Sequence, residues 1–166
     1  MARKLPDFDR LAALYLGKDY TADQVKKKVG ADVNSEDVTN TCVVRLSVPL
    51  NGLGELIPPW STKFRTRKGT DRRWYGLRVA EFWQYLIDNY GLPTVTSKSP
   101  LKKETFAGIR GIIGFRVSKF KDATGHFTLW DGKDLLYGGD DHDYFTIADE
   151  AALWEAGSSR TTSAPV

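Results

Sequence analysis

The amino-acid sequence predicts an α+β fold, helices first and an antiparallel sheet after them. Two observations carry that reading. Apolar residues recur at helical spacing up to Tyr90, with glycine and proline stops between the segments. Beyond that point, Gly108 to Val117 and His126 to Trp130 read as paired strands on either side of the turn Lys121-Asp122-Ala123-Thr124-Gly125.

Taken in order, Phe8, Leu11, Ala12 and Tyr15 mark a short helix that Asp7 caps and that ends near Gly17. Thr21-Ala22-Asp23-Gln24 has the spacing of a capping box, Val25 and Val29 share a face, and Gly30 closes that helix. Residues 31 to 39 are loop-like. The run Cys42-Val43-Val44-Arg45-Leu46-Ser47-Val48 has strand propensity, but Asn40 or Thr41 as cap and Asn51-Gly52 as stop favour a buried helix of about ten residues. Residues 52 to 73 form an irregular excursion broken by Gly52, Gly54, Pro58 and Pro59. Val79, Phe82, Trp83, Leu86, Ile87 and Tyr90 then line one helical face, with Gly91 as cap and Pro93 as stop. Residues 94 to 106 read as a polar linker. The glycines of the first strand run imply another backbone passing close by. Asp134 to Tyr137 reads as a further strand of a meander, Gly138 to Asp143 as an acidic loop, and Ile147 to Ala156 as a closing helix with Leu153 and Trp154 inward. One catalytic domain over residues 1–156 and a disordered polar tail over 157–166 are expected.

Composition narrows the classes. At 166 residues, with 41% hydrophobic and 27% charged residues, the chain has ordinary globular make-up rather than that of a disordered or membrane protein. One cysteine excludes an intramolecular disulfide and a cysteine-cluster zinc site. No stretch approaches the length of a bilayer span, and the N-terminus opens no apolar signal region, so a protein made in the cytoplasm without a Sec signal peptide is expected. Lys63, Arg65, Arg67, Lys68, Arg72 and Arg73 form a basic run against Asp71 alone. It reads as a solvated loop or as a footprint for an anionic polymer.

Two residue types point to chemistry. Cys42 stands where a helix begins, and there the helix dipole and unpaired N–H groups favour thiolate. A free cysteine also serves as a small buried hydrophobe, so position alone leaves both readings open. His126 follows a turn and opens a strand, which would hold an imidazole rigidly. His142, among Asp140, Asp141 and Asp143, is solvated or part of a weak metal site. A catalytic imidazole needs a third group to fix its tautomer. Asp131, Asp134, Asp140 and Asp141 are the candidates. An odd number of steps along the strand points Asp131 to the opposite face, which favours Asp140, with Asp141 in reserve.

Asn40-Thr41-Cys42-Val43-Val44-Arg45-Leu46-Ser47 followed by Leu50-Asn51, together with Gly125-His126-Phe127-Thr128-Leu129-Trp130-Asp131-Gly132, resembles the type VI secretion amidase effectors of the fourth class. Leu77-Arg78-Val79 and Gly114-Phe115 fit the same pattern, and the resemblance spans roughly residues 8 to 155. It implies an NlpC/P60-like, papain-type fold with the cysteine on a helix packed against an antiparallel sheet. It implies hydrolysis of the γ-D-glutamyl–meso-diaminopimelate bond in peptidoglycan stem peptides. Cys42 is then the nucleophile, His126 the general base and Asp140 the orienting carboxylate. Family members often carry a cysteine pair around the acidic loop, which this chain lacks, so packing rather than a disulfide would hold that loop.

The resemblance further implies no metal or organic cofactor, delivery by the type VI machinery to a target cell's periplasm, and a cognate immunity protein in the producer. Nucleic acid is not expected as a partner. Two other readings stand beside it. One is a Cys/His hydrolase of another amide bond, such as an N-acetylmuramoyl-L-alanine amidase, a protease or a transglutaminase-like enzyme. The other is a non-catalytic module binding an anionic polymer through the basic run.

Overall fold

A computed structural model of the chain describes residues 2–118, 125–138 and 143–158. The expected helices form first. Helix α1 (Phe8–Leu14) is capped by the Asp7 side chain, which accepts from the Arg10 N–H. Helix α2 (Ala22–Val29) starts with the full Thr21/Gln24 capping box and closes at Gly30, whose φ of 75° suits a residue without a Cβ. Helix α3 (Cys42–Gly52) follows, and Cys42, Val43, Leu46 and Leu50 are buried in the main core beside Phe8 and Leu11 of α1. It is apolar nearly all round because it has neighbours on every side. A short antiparallel pair, β1 (Thr66–Lys68) and β2 (Trp74–Gly76), sits on one flank. There Ser47 Oγ accepts from the Gly76 N–H at 3.0 Å.

The excursion over residues 52 to 73 is thus irregular except for β1. Asn51 pins it, accepting from the Ile57 N–H at 2.9 Å and donating to the Trp74 carbonyl at 2.7 Å. Helix α4 (Val79–Tyr90) buries Phe82, Trp83 and Leu86 and ends at Gly91.

The main sheet holds β3 (Val95–Lys98), β4 (Gly111–Arg116), β5 (Gly125–Trp130) and β6 (Glu150–Glu155) in the order β3-β6-β4-β5, antiparallel throughout. β4 and β5 pair as expected, with Phe115 opposite His126. The close backbone approach foreseen at the glycines is real: a Cβ on Gly111 would lie 1.9 Å from the Trp154 carbonyl oxygen. The α3/α4 side of the sheet packs Ile112, Phe127, Leu129, Ala152 and Trp154. The opposite side packs Ile113, Phe115, Trp130, Ala151 and Leu153 under Phe106, Tyr144 and Phe145. Tyr144 and Phe145 belong to a one-turn helix, α5 (Tyr144–Ile147), that Asp143 caps.

Several expectations are corrected. The closing helix over Ile147 to Ala156 is strand β6, at the centre of the sheet. Ala, Glu and Leu favour helix locally, but Ala151, Ala152, Leu153 and Trp154 are buried on both faces between β3 and β4, and that packing overrides propensity. The polar linker over residues 94 to 106 contains β3, an edge strand whose alternating exposure looks polar in sequence. The sheet is therefore no meander. The further strand at Asp134 to Tyr137 reduces to a single bridge, Trp130 to Leu135. Gly157 donates to the Pro6 carbonyl and accepts from the Phe8 N–H. Residues 159–166 lie outside the described residues.

Candidate active site

Cys42 is the first residue of α3 and is 1% exposed. Of the two expected caps, Asn40 supplies the side chain. Asn40 Oδ1 accepts the Cys42 N–H at 3.0 Å, while Thr41 Oγ1 turns inward and accepts from Arg45 Nε. Burial pushes the thiol up to about 11, and four groups pull against that rise. They are the backbone N–H groups of Phe127 and Val43, the Arg45 charge and the Asn40 side chain. β5 is the edge strand of the main sheet, so alternate N–H groups face outward without a ladder partner. The one at Phe127 is among the groups that draw the Cys42 thiol down, and Phe127 is the chain neighbour of His126.

His126 is 3% exposed and stacks on Tyr144, ring centroids 4.5 Å apart and planes 5° from parallel. Its Nε2 lies 2.9 Å from the Tyr137 carbonyl oxygen. A carbonyl only accepts, so Nε2 carries the proton and Nδ1 keeps its lone pair in the neutral ring. Thr128, two residues along β5 and on the same face, supports this from below. Its Oγ1 accepts from the Tyr137 N–H at 3.1 Å and lies 3.0 Å from Tyr15 Oη. Burial pushes the Tyr15 phenol far above its ordinary value, which keeps it a neutral hydrogen-bonding group.

Structure therefore packs the helix that begins with Cys42 against the strand that carries His126. Asp140 and Asp141 lie outside the described residues, as does His142. The other two carboxylates are engaged elsewhere. Asp131 Oδ1 accepts from the N–H groups of Lys133 and Asp134, closing the turn after β5, and Asp134 pairs with Lys103 at 3.6 Å. Sequence reasoning assigned no role to Tyr137, Tyr144, Thr128 or Arg45. Arg45 alone left a signal there, a cation inside a mostly apolar helix.

Much of the basic run is structural. Arg67 pairs with Asp37, Arg65 with Glu81, Arg73 Nη1 donates to the Asn51 carbonyl, and Lys68 lies over the Trp74 ring. Hydrogen bonds from Arg67 and Ser35 hold the Asp37 carboxyl below the usual carboxylate range. Four of the run's six cations thus have partners within the fold. No helix among the described residues is long and apolar enough to cross a membrane.

An antiparallel sheet carrying a histidine on its edge strand, with a buried thiol-bearing helix packed against that strand, is an α+β architecture. Comparison with known proteins agrees. The profile of the family described as type VI secretion system (T6SS), amidase effector protein 4, or Tae4, matches residues 38–154. The chain resembles the Salmonella typhimurium effector Tae4, solved in complex with the immunity protein Tai4 from Enterobacter cloacae, with TM-score 0.80 and 25% identity over 92% of this chain and 99% of that one. It also resembles Tae4 from Enterobacter cloacae, with TM-score 0.78 and 29% identity over 95% of this chain and 100% of that one. The Enterobacter cloacae Tae4–Tai4 complex gives TM-score 0.79 at 29% identity, covering 92% and 99% of the two chains. Among curated proteins, no sequence matches this chain. The chain belongs to the type VI secretion amidase effector 4 family.

Proposed function

We propose that this effector is a cysteine amidase that cuts the γ-D-glutamyl–meso-diaminopimelate bond of peptidoglycan stem peptides in a target cell's periplasm. Cys42 is the nucleophile and His126 the general base. The observation that supports this reading is the packing of α3, which begins with Cys42, against β5, which carries His126.

The chemistry runs as an acyl transfer. The imidazole Nδ1 takes the thiol proton as Cys42 Sγ attacks the γ-carbonyl carbon of D-glutamate. A buried thiol pushed up to about 11 does not ionise by itself at neutral pH, so attack is coupled to that proton transfer. N–H groups at the start of α3 receive the oxyanion; Asn40 Oδ1 occupies the Cys42 N–H at rest and gives way to it. The tetrahedral adduct expels the diaminopimelate amine as His126 returns the proton to its nitrogen. Water, deprotonated by His126, then splits the thioester, freeing the glutamate γ-carboxyl group and the thiol.

Asp140, with Asp141 in reserve, supports the imidazolium charge. No cofactor enters the reaction. Residues 1–156 act as one catalytic domain. The relatives solved with Tai4 support a cognate immunity protein that covers the cleft in the producing cell.

Digestion of purified peptidoglycan, followed by mass spectrometry of the muropeptides, identifies the bond. The expected products carry a new glutamate γ-carboxyl group and a new diaminopimelate amine. Release of intact stem peptides from muramic acid would instead identify an N-acetylmuramoyl-L-alanine amidase. In the same assay Asp140→Asn is expected to lose more turnover than Asp141→Asn; the reverse moves the carboxylate role to Asp141.

A further inference from the structure

We infer that Arg45 is a positioning residue of this site: it holds Tyr137 in the place where the Tyr137 carbonyl sets the His126 tautomer. The inference rests on the Cys42/His126 reading above and adds the device that orients the base.

Arg45 is fully buried. Its hydrogen-bond partners among the described residues are neutral oxygens: Thr41 Oγ1 at 3.0 Å, and the carbonyls of Leu16 at 2.9 Å, Gly17 at 2.7 Å and Tyr20 at 2.9 Å. Four of the five guanidinium N–H bonds are used in this way. What remains is the flat face of the group, and it lies over the Tyr137 ring, 3.8 Å from the centroid. Burying a cation without a carboxylate is costly, and an apolar side chain of similar size would serve the helix core as well. The fork and the face together join three separate pieces of chain: the loop after α1, helix α3 and the segment carrying Tyr137.

That segment needs holding. It runs along the outer edge of β5 with one bridge, Trp130 to Leu135, and a hydrogen bond from the Leu136 N–H to the Leu129 carbonyl at 2.9 Å. At Tyr137 the backbone leaves the ladder, and its N–H goes to the Thr128 hydroxyl instead. The carbonyl of the same residue receives His126 Nε2. With the ring clamped by Arg45 and the N–H by Thr128, the direction of that carbonyl is fixed. Gly17 belongs to the same joint: a Cβ there would lie 3.3 Å from the Leu136 carbonyl oxygen, so the loop Arg45 grips is packed against the Tyr137 segment. Arg45 is also one helical turn beyond Cys42. A single helix thus places the thiol directly and, through Arg45, the acceptor that orients its base.

The test uses the full chain with nitrogen-15-labelled histidine. Two-bond nitrogen–proton correlation spectra of the resting protein report the His126 tautomer, and steady-state kinetics on a soluble muropeptide separate kcat from KM. Wild type and Tyr137→Phe, which keeps the aromatic face, are expected to show the Nε2–H tautomer. Arg45→Lys keeps the charge but loses the planar fork. Tyr137→Leu removes the ring at a partly exposed position. Both are expected to show mixed tautomers, with kcat down roughly tenfold to a hundredfold and KM nearly unchanged. Should Arg45→Lys fail to fold by circular dichroism, Tyr137→Leu decides. A folded Tyr137→Leu protein with wild-type tautomer and kcat overturns the inference. The same spectra of Cys42→Ala separate the two claims: turnover in that variant sinks the nucleophile assignment, whereas the tautomer still reports whether Arg45 and Tyr137 set it.

Discussion

The start of α3 and the segment from Asp131 to Gly138 meet the same edge of β5, yet different forces hold them there. The helix side is anchored by burial: Val43, Leu46 and Leu50 are each 0% exposed in the main core. Among the described residues the other side has one bridge, a few backbone hydrogen bonds and a few side chain–backbone bonds, with Leu135, Leu136 and Tyr137 only partly buried. The thiol is therefore placed by the fold as a whole, and the imidazole's acceptor by local contacts. Stability and activity should separate along that line.

The first way to break the comparison is to damage each side in turn. Leu46→Ala opens the core behind Cys42 and is expected to cost about 2–5 kcal/mol, read from denaturant unfolding. Turnover per folded molecule should stay close to wild type. Thr128→Val deprives the Tyr137 N–H and the Tyr15 hydroxyl of a partner, at about 1–3 kcal/mol. That smaller loss of stability should come with the larger loss of turnover. Equal specific activities in the two variants would contradict the division.

A finer effect sharpens the thiol side. In His126→Ala, Cys42 keeps its desolvated surroundings without the base. Its alkylation rate should then climb with pH towards a midpoint near 11, against 9.0 for a free thiol. At pH 7.5 it should be roughly a hundredfold slower than in the unfolded chain. The sign for stability follows: the folded thiol binds its proton more tightly than the unfolded one. Its contribution is full below pH 9 and is lost as pH rises through 11. A midpoint at the ordinary thiol value would show that Cys42 is not buried as described.

The helix side was also the legible side in the sequence. Cys42, its helix and the Gly52 stop could be read because cap, apolar run and stop are adjacent in the chain. The strand pair around His126 was equally readable, because a hairpin is local. β6 was not, since the partners that make Glu150–Glu155 a central strand, β3 and β4, come from earlier in the chain and override its helical composition. The orienting contact escaped for the same reason. A carbonyl has no residue-type signature, and nothing in Tyr137 announces that its backbone will meet an imidazole 11 residues earlier. Asp131 and Asp134, which did look the part, close a turn and pair with Lys103.

The most direct measurement is the rate of muropeptide cleavage by Cys42→Ala beside wild type, with circular dichroism confirming the same fold in both. No detectable product from Cys42→Ala, with full cleavage by wild type, is the result expected of a thiol nucleophile at the start of α3. Cleavage by Cys42→Ala at the wild-type rate would contradict it and would return Cys42 to the core as an inert side chain.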